Sequence, residues 1–147
     1  MILGGIEIPL SFGLMGHSDA DALIHSICDA LLGALGETDI GTAFPDTDDR
    51  YKDLSSLLLL KEVAEKVREA GFQVENIDTV VIAEVPRIKP FVAAMKRSIA
   101  EVLGMMVEDI GIKATTMEKM GTIGRKEGLA VQAVALISSI QGEAKNS

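Results

Sequence analysis

The chain contains one cysteine, Cys28, so no disulfide can close within it, and a reducing compartment is the simplest expectation. Tryptophan is absent and aromatics make up 3% of the 147 residues, so the core must be packed from Leu, Ile, Val, Ala and Met. Bases are outnumbered, 14 against 22 acids, for a formal charge of -8. That balance argues against a nucleic-acid partner, which needs a basic surface. A small phosphorylated ligand needs only a few local cations and stays open. No apolar run reaches the roughly 18 residues of a membrane span, and the N-terminus has no basic stretch leading into an apolar one. The expectation is a cytoplasmic chain with no membrane association. Its length suits a single domain, able to bury about 70% of its unfolded surface.

Leu3 to Leu10 has strand character broken by Gly4-Gly5. Asp19 is a candidate cap for a helix to about Leu35, whose apolar positions Leu23, Ile24, Ile27, Leu31 and Leu35 keep helical spacing. Glu37 to Asp53 is acidic, without period, and reads as loop. A second helix is expected over about Leu54 to Ala70, stopped by Gly71. Asp78 to Val85 reads as a buried strand. Pro90 suits the first turn of a helix to Leu103. Ile110 to Thr116 reads as a strand, Glu118 to Gly128 as a charged, glycine-containing loop, and Leu129 to Ile140 as a long apolar strand. The order is strand, helix, helix, strand, helix, strand, strand, an α+β pattern rather than regular βαβ alternation.

Three segments could carry chemistry, and a fourth, Val85 to Pro90, is a rigid cationic loop that by itself reads as a strand-to-helix turn. His17 and His25 are the only histidines, eight apart, with Asp21 four residues before His25. Imidazole beside carboxylates is what zinc sites use, but a helix cap at Asp19, a dipole-favouring Asp21 and a His25 paired with Asp21 explain the same residues. Asp39 to Asp48 is an acidic loop followed by Arg50 and Lys52; it is a solvated loop or a functional one. Lys113 to Gly128 runs from a strand into adjacent hydroxyls, Thr115 and Thr116, then Glu118, two glycines and Arg125-Lys126. Hydroxyls and freed backbone amides suit phosphate oxygens, and a nearby Glu suits a hard cation such as magnesium. A polar hairpin would look similar.

Together, ILGGIEIP, GLMGHSDADALIHSICDALLGALGETDIG, FPDTD, YKD, IAEVPRIKP and KATTMEKMGTIGRKEG resemble, in order and over nearly the whole chain, the 2-C-methyl-D-erythritol 2,4-cyclodiphosphate synthases of the non-mevalonate isoprenoid pathway. The resemblance implies a two-layer sandwich, a mixed β-sheet packed by helices, with the sheets facing the threefold axis of a homotrimer and active sites between subunits. It implies metal-assisted intramolecular phosphoryl transfer. The 2-phosphate of 4-diphosphocytidyl-2-C-methyl-D-erythritol 2-phosphate attacks the β-phosphate, CMP leaves, and a cyclic diphosphate forms. Zinc (or another divalent metal) and magnesium or manganese are the implied cofactors, with room for an isoprenoid diphosphate in the central cavity.

Residue by residue, the resemblance implies that His25 is a zinc ligand and Glu118 a magnesium ligand. His17 and Thr116 become transition-state stabilisers, with Ser18 beside His17 near the erythritol phosphate. Asp39, Ile40, Gly41, Phe44, Pro45, Asp46, Thr47, Asp48 and Lys52 line the methylerythritol pocket. Ala83, Pro86, Arg87, Ile88 and Lys89 line the cytidine pocket, which a neighbouring subunit contributes to each active site. Ala114 and Thr115 stand beside the diphosphate, and Arg125 near phosphate or the central cavity. The family also carries a first strand with an Asp-x-His pair that completes the zinc site, and no Asp-x-His occurs in this sequence. The expectation is an N-terminally truncated single domain over 1–147, of bacterial or plastid type, releasing little CMP until such a strand is supplied. Smaller departures are Arg87, Lys89, Met117, Thr122 and Lys126, where the family favours other residues. A non-catalytic trimeric domain that binds a nucleotide or isoprenoid diphosphate is the alternative from another class.

Overall fold

The computed structural model describes residues 1–11, 13 and 19–140. Ile2–Leu3 (β1) and Ile6–Glu7 (β2) form an antiparallel hairpin. Gly4 and Gly5 make its turn with φ of +60° and +74°, a twist that suits a two-residue hairpin. Space as well as φ requires glycine here, since a Cβ on Gly5 would lie 2.5 Å from Ser98 Oγ.

Helix α1 (Ala22–Ala34) buries Leu23, Ile24, Ile27, Cys28, Leu31 and Leu32, one stripe at helical spacing. The short helix α2 (Ile40–Ala43) and a 3-10 turn at Asp49–Tyr51 lie within the segment expected to be loop. Local carboxylate caps, Asp39 and Asp48, explain them better than any apolar period does. Helix α3 (Ser56–Glu69) buries Leu59, Leu60, Val63, Ala64 and Val67, and Gly71 leaves it with φ +88°.

The main sheet has the order β4-β3-β5. Strand β3 (Phe72–Ile82) begins six residues before the expected Asp78, because Phe72 to Asn76 pairs antiparallel with the end of β5 (Ala130–Ser139). Pairing overrides the polar look of Gln73, Glu75 and Asn76. Strand β4 (Ile110–Thr115) runs parallel to β3, with Ile77 opposite Ile110 and Ile82 opposite Thr115. Between them lies α4 (Val92–Leu103), entered through Lys89–Phe91 and closed by Gly104 in the left-handed region. A four-residue helix, α5 (Gly121–Gly124), interrupts the loop before β5.

Helices α1, α3 and α4 cover one face of this mixed sheet, giving two layers around one apolar core. Each fully buried Leu or Ile contributes about 1.5–3 kcal/mol relative to exposure. On β5 the side chains alternate: Val131, Ala133, Ala135 and Ile137 pack toward the core, while Val134 and Leu136 are 71% and 61% exposed. No helix among the described residues is long and apolar enough to cross a membrane.

Candidate active site

Because β3 and β4 are parallel, their C-terminal ends open onto the same edge, the place where open sheets with parallel strands bind ligands. Ala83 N–H donates to the Thr115 carbonyl at 3.0 Å, carrying the pairing one residue past β3. The two chains then part. Between them is a cavity of about 310 Å³ lined by Ala83, Glu84, Pro86, Arg87, Ile88, Lys89, Ala114, Thr115 and Thr116. That volume is at the small end of the range for ligand pockets, about 300–1,000 Å³, and fits one end of a nucleotide-sized substrate. Ala83, Pro86 and Ile88 are buried and shape it; Arg87 and Lys89 bring cations, Thr115 and Thr116 hydroxyls. The structure thus gathers every expected residue of the cytidine pocket with Ala114, Thr115 and Thr116.

The following loop is tightly held. Glu118 and Lys119 have φ of +50° and +65°, and Glu118 N–H donates to Thr116 Oγ1 at 3.2 Å. Met117 and Lys119 N–H groups both donate to Glu84 Oε1, at 2.9 and 3.2 Å. Sequence reasoning passes over Glu84, which reads as the charged end of a strand. Its partners lie 33 and 35 residues further along, so no local signal marks it. Arg125 Nε donates to Glu127 Oε1 at 2.7 Å.

A second cluster surrounds His25. Its Nε2 is 2.8 Å from Ser56 Oγ, and Ser56 Oγ also donates to Asp19 Oδ1 in a short hydrogen bond. With the Ser56 hydroxyl hydrogen turned to Asp19, its oxygen is the acceptor for an Nε2–H of the His25 ring. Ser56 N–H donates to Asp19 Oδ2 at 3.0 Å. Asp19 is therefore not the cap of α1. That role belongs to Asp21, whose Oδ1 accepts from Ile24 N–H at 3.0 Å and Gly4 N–H at 2.9 Å, while Oδ2 accepts from Gly5 N–H at 2.7 Å. Both residues are good capping types; tertiary contact with Ser56 decides between them. Burial pushes the Asp21 carboxyl up from its ordinary value, and the three amides pull it partly back. His17 and Ser18 lie outside the described residues.

The third cluster is the loop after α1. Asp39 caps α2 by accepting from Thr42 N–H at 2.7 Å, which holds its carboxyl below the usual range. Ile40 N–H donates to Asp29 Oδ1 at 2.8 Å, tying α2 back to α1. Phe44 is buried and meets Tyr51 edge-on, ring centroids 5.2 Å apart. Asp48 accepts from Arg50, which lowers its pKa, and the guanidinium lies 5.3 Å over Tyr51. Gly41, Pro45, Asp46, Thr47 and Lys52 are exposed. Neither His25 nor this loop lines the cavity at the strand ends.

The donor sets decide what each cluster suits. Catalytic zinc takes three protein ligands as a rule, and among the described residues no group of three or more His, Cys, Asp or Glu is placed to hold a metal. These residues do not by themselves fit a zinc ion. Glu118 is exposed beside two hydroxyls, and magnesium commonly takes one or two carboxylates together with substrate phosphates, so Glu118 fits that ion as a single protein ligand.

A helix-backed mixed sheet with hydroxyls, cations and a free carboxylate at its parallel strand ends defines an α+β enzyme domain that handles phosphates. The model of the YgbB family matches residues 1–138. The 2-C-methyl-D-erythritol 2,4-cyclodiphosphate synthase of Syntrophus aciditrophicus is 55% identical over 141 residues, 96% of this chain and 89% of its own. That of Syntrophomonas wolfei is 53% identical over 137 residues, 93% and 87%. Among solved structures, a bifunctional IspDF from Campylobacter jejuni superposes with a TM-score of 0.90 at 47% identity, covering 95% of this chain but 38% of that one. A CDP complex of IspF from Plasmodium falciparum gives 0.80 at 34%, covering 93% and 81%. The chain belongs to the YgbB family, the 2-C-methyl-D-erythritol 2,4-cyclodiphosphate synthases: CMP-forming, metal-dependent lyases of the non-mevalonate isoprenoid pathway.

Proposed function

We propose that the cavity at the ends of β3 and β4 is the nucleotide half of the cyclodiphosphate synthase site, and that the His25 and Asp39 clusters belong to the other half. The supporting observation is that one cavity, small for the whole substrate, holds every residue expected for cytidine together with Ala114, Thr115 and Thr116, and none expected for methylerythritol. Ala83, Pro86 and Ile88 enclose the base; Arg87 and Lys89 flank it with positive charge. Ala114 leads into Thr115 and Thr116, whose hydroxyls donate to diphosphate oxygens. Thr116 acts where charge builds at the β-phosphorus, a position at which a fixed donor stabilises the transition state more than the ground state. Arg125 offers a further cation near phosphate or the central cavity, although Glu127 takes up part of its charge.

Glu118 would hold magnesium or manganese, which when bound neutralises diphosphate charge. His25 would supply one ligand of a zinc ion. Its ring is oriented by Ser56 and Asp19. His17 and Ser18, by motif, meet the erythritol phosphate. Asp39, Ile40, Gly41, Phe44, Pro45, Asp46, Thr47, Asp48 and Lys52 form the methylerythritol pocket, ordered by the Asp39 cap and the Phe44–Tyr51 contact. The attacking 2-phosphate is already an anion, so the protein's task is positioning and charge neutralisation. The P–O bond to CMP breaks as the new P–O bond closes the ring.

Residues 1–147 act as one domain of a homotrimer, with Val134 and Leu136 of β5 turned toward the threefold axis. An isoprenoid diphosphate fits the axial cavity, and bacterial cytoplasm is the location. The test is CMP release from 4-diphosphocytidyl-2-C-methyl-D-erythritol 2-phosphate with zinc and magnesium, by this chain and by the chain with an Asp-x-His strand supplied. The expected outcome is little CMP from this chain alone, and CMP and cyclic diphosphate in equal amounts once the strand is supplied. CMP accompanied by an open-chain diphosphate would contradict it.

A further inference from the structure

Glu84 joins the two walls of the cavity. It stands two residues past the end of β3, on the wall that continues through Lys89, yet its carboxylate reaches the loop that follows β4. There Oε1 accepts from Met117 N–H at 2.9 Å and Lys119 N–H at 3.2 Å. Glu118 sits between these two donors, the side chain assigned above to the metal.

The backbone at this point is unfavourable. Glu118 and Lys119 are successive residues with side chains in the left-handed region. Such a pair persists only where its surroundings over-determine it. Three features do so. Glu84 binds the N–H groups on either side of Glu118. Thr116 Oγ1 takes the N–H of Glu118 itself. Gly124 lies under the turn so closely that a Cβ there would be 2.2 Å from the Lys119 carbonyl carbon. N–H groups turned to one side in such a turn form a concavity that takes an anion. Here the anion is the protein's own carboxylate, so the turn is already set before any phosphate arrives.

We propose that Glu84 is a positioning residue: it locks the Thr116–Glu118 turn against the 83–89 wall so that hydroxyl and carboxylate meet the diphosphate of a nucleotide held by that wall. This deepens the nucleotide reading above and rests on it. Glu84 touches neither ligand nor metal in this role. It acts through the peptide groups of residues 117 and 119.

The test compares Glu84→Ala and Glu84→Gln with the wild type in calorimetric titrations of CDP and of cytidine, each with and without magnesium. Amide hydrogen exchange is followed at residues 117–119. The Gln variant keeps an Oε1 acceptor for both N–H groups. In Glu84→Ala, CDP with magnesium should bind about tenfold more weakly, the loss of roughly one hydrogen bond to a charged group, while cytidine binding is unchanged. Exchange at Met117 and Lys119 should quicken, and Glu84→Gln should recover most of both properties. Wild-type magnesium-dependent CDP binding in Glu84→Ala would overturn the role of Glu84 alone. So would equal losses for CDP and cytidine, or unchanged exchange. If Glu84→Ala fails to fold, Glu84→Gln carries the test, and loss of protection in that folded variant also overturns the role. A wild-type chain that binds no CDP overturns the nucleotide reading, and this proposal with it.

Discussion

The two candidate halves of the site are built differently. At the ends of β3 and β4, one chain gathers base-sized space, cations and hydroxyls into one cavity, with a pinned turn following directly after Thr116. Around His25 and in the 39–52 segment, the residues are individually well held but line no part of that cavity: His25 by Ser56, Asp39 by Thr42, Asp48 by Arg50. On the proposed reading, the contrast means that the nucleotide half needs only one chain, whereas the second half is ordered in advance for something brought to it. A second copy, docked through the apolar outer face of β5, would bring it.

The largest expected effect breaks the assembly and spares the cavity. Leu136→Glu places a charge on the exposed apolar face of β5. Sedimentation should show a trimer in the wild type and a monomer in the variant, with CMP release lost and CDP affinity kept. A variant monomer that no longer binds CDP would break the comparison.

Next is Ser56→Ala, within the His25 cluster. It leaves Asp19 and the His25 ring without a shared hydroxyl in a buried spot. A loss of about 1–3 kcal/mol in urea unfolding is expected, the usual cost of an unmade buried hydrogen bond, with CDP affinity unchanged. Thr116→Val acts on the other half. It should weaken CDP binding by about tenfold and leave unfolding close to wild type.

The smallest effect concerns pH. The Asp39 carboxyl is held low by the Thr42 N–H, so its ionised form is favoured in the fold. Its stabilising effect is present above the ordinary carboxylate pKa and is lost as pH falls through the lowered value. The Thr42 amide resonance should move in that acid window, and Asp39→Asn should abolish the movement without altering residues 83–89.

Much of this was legible in the sequence where the local signal and the tertiary outcome agree. Helices α1, α3 and α4 follow their apolar stripes, and Gly71 and Gly104 end two of them as glycine should. The Thr115-Thr116 pair at a strand end is where the cavity lies. The misreadings arise where distant partners decide. Asp21 rather than Asp19 caps α1, because Ser56 claims Asp19 across 37 positions. Strand β3 starts at Phe72 because β5 supplies the pairing for a polar-looking stretch. Glu84 escaped notice because its partners lie 33 and 35 residues away, and nothing in its neighbourhood announces them.

The most direct test of the central claim is titration of CDP, with magnesium, into uniformly ¹⁵N-labelled protein while the backbone amides are followed. The account predicts shifts at Ala83, Glu84, Arg87, Ile88, Thr115, Thr116 and Glu118, with Asp39 to Asp48 and Lys52 nearly still. Shifts centred on the 39–52 segment, with the strand-end cavity silent, would contradict it.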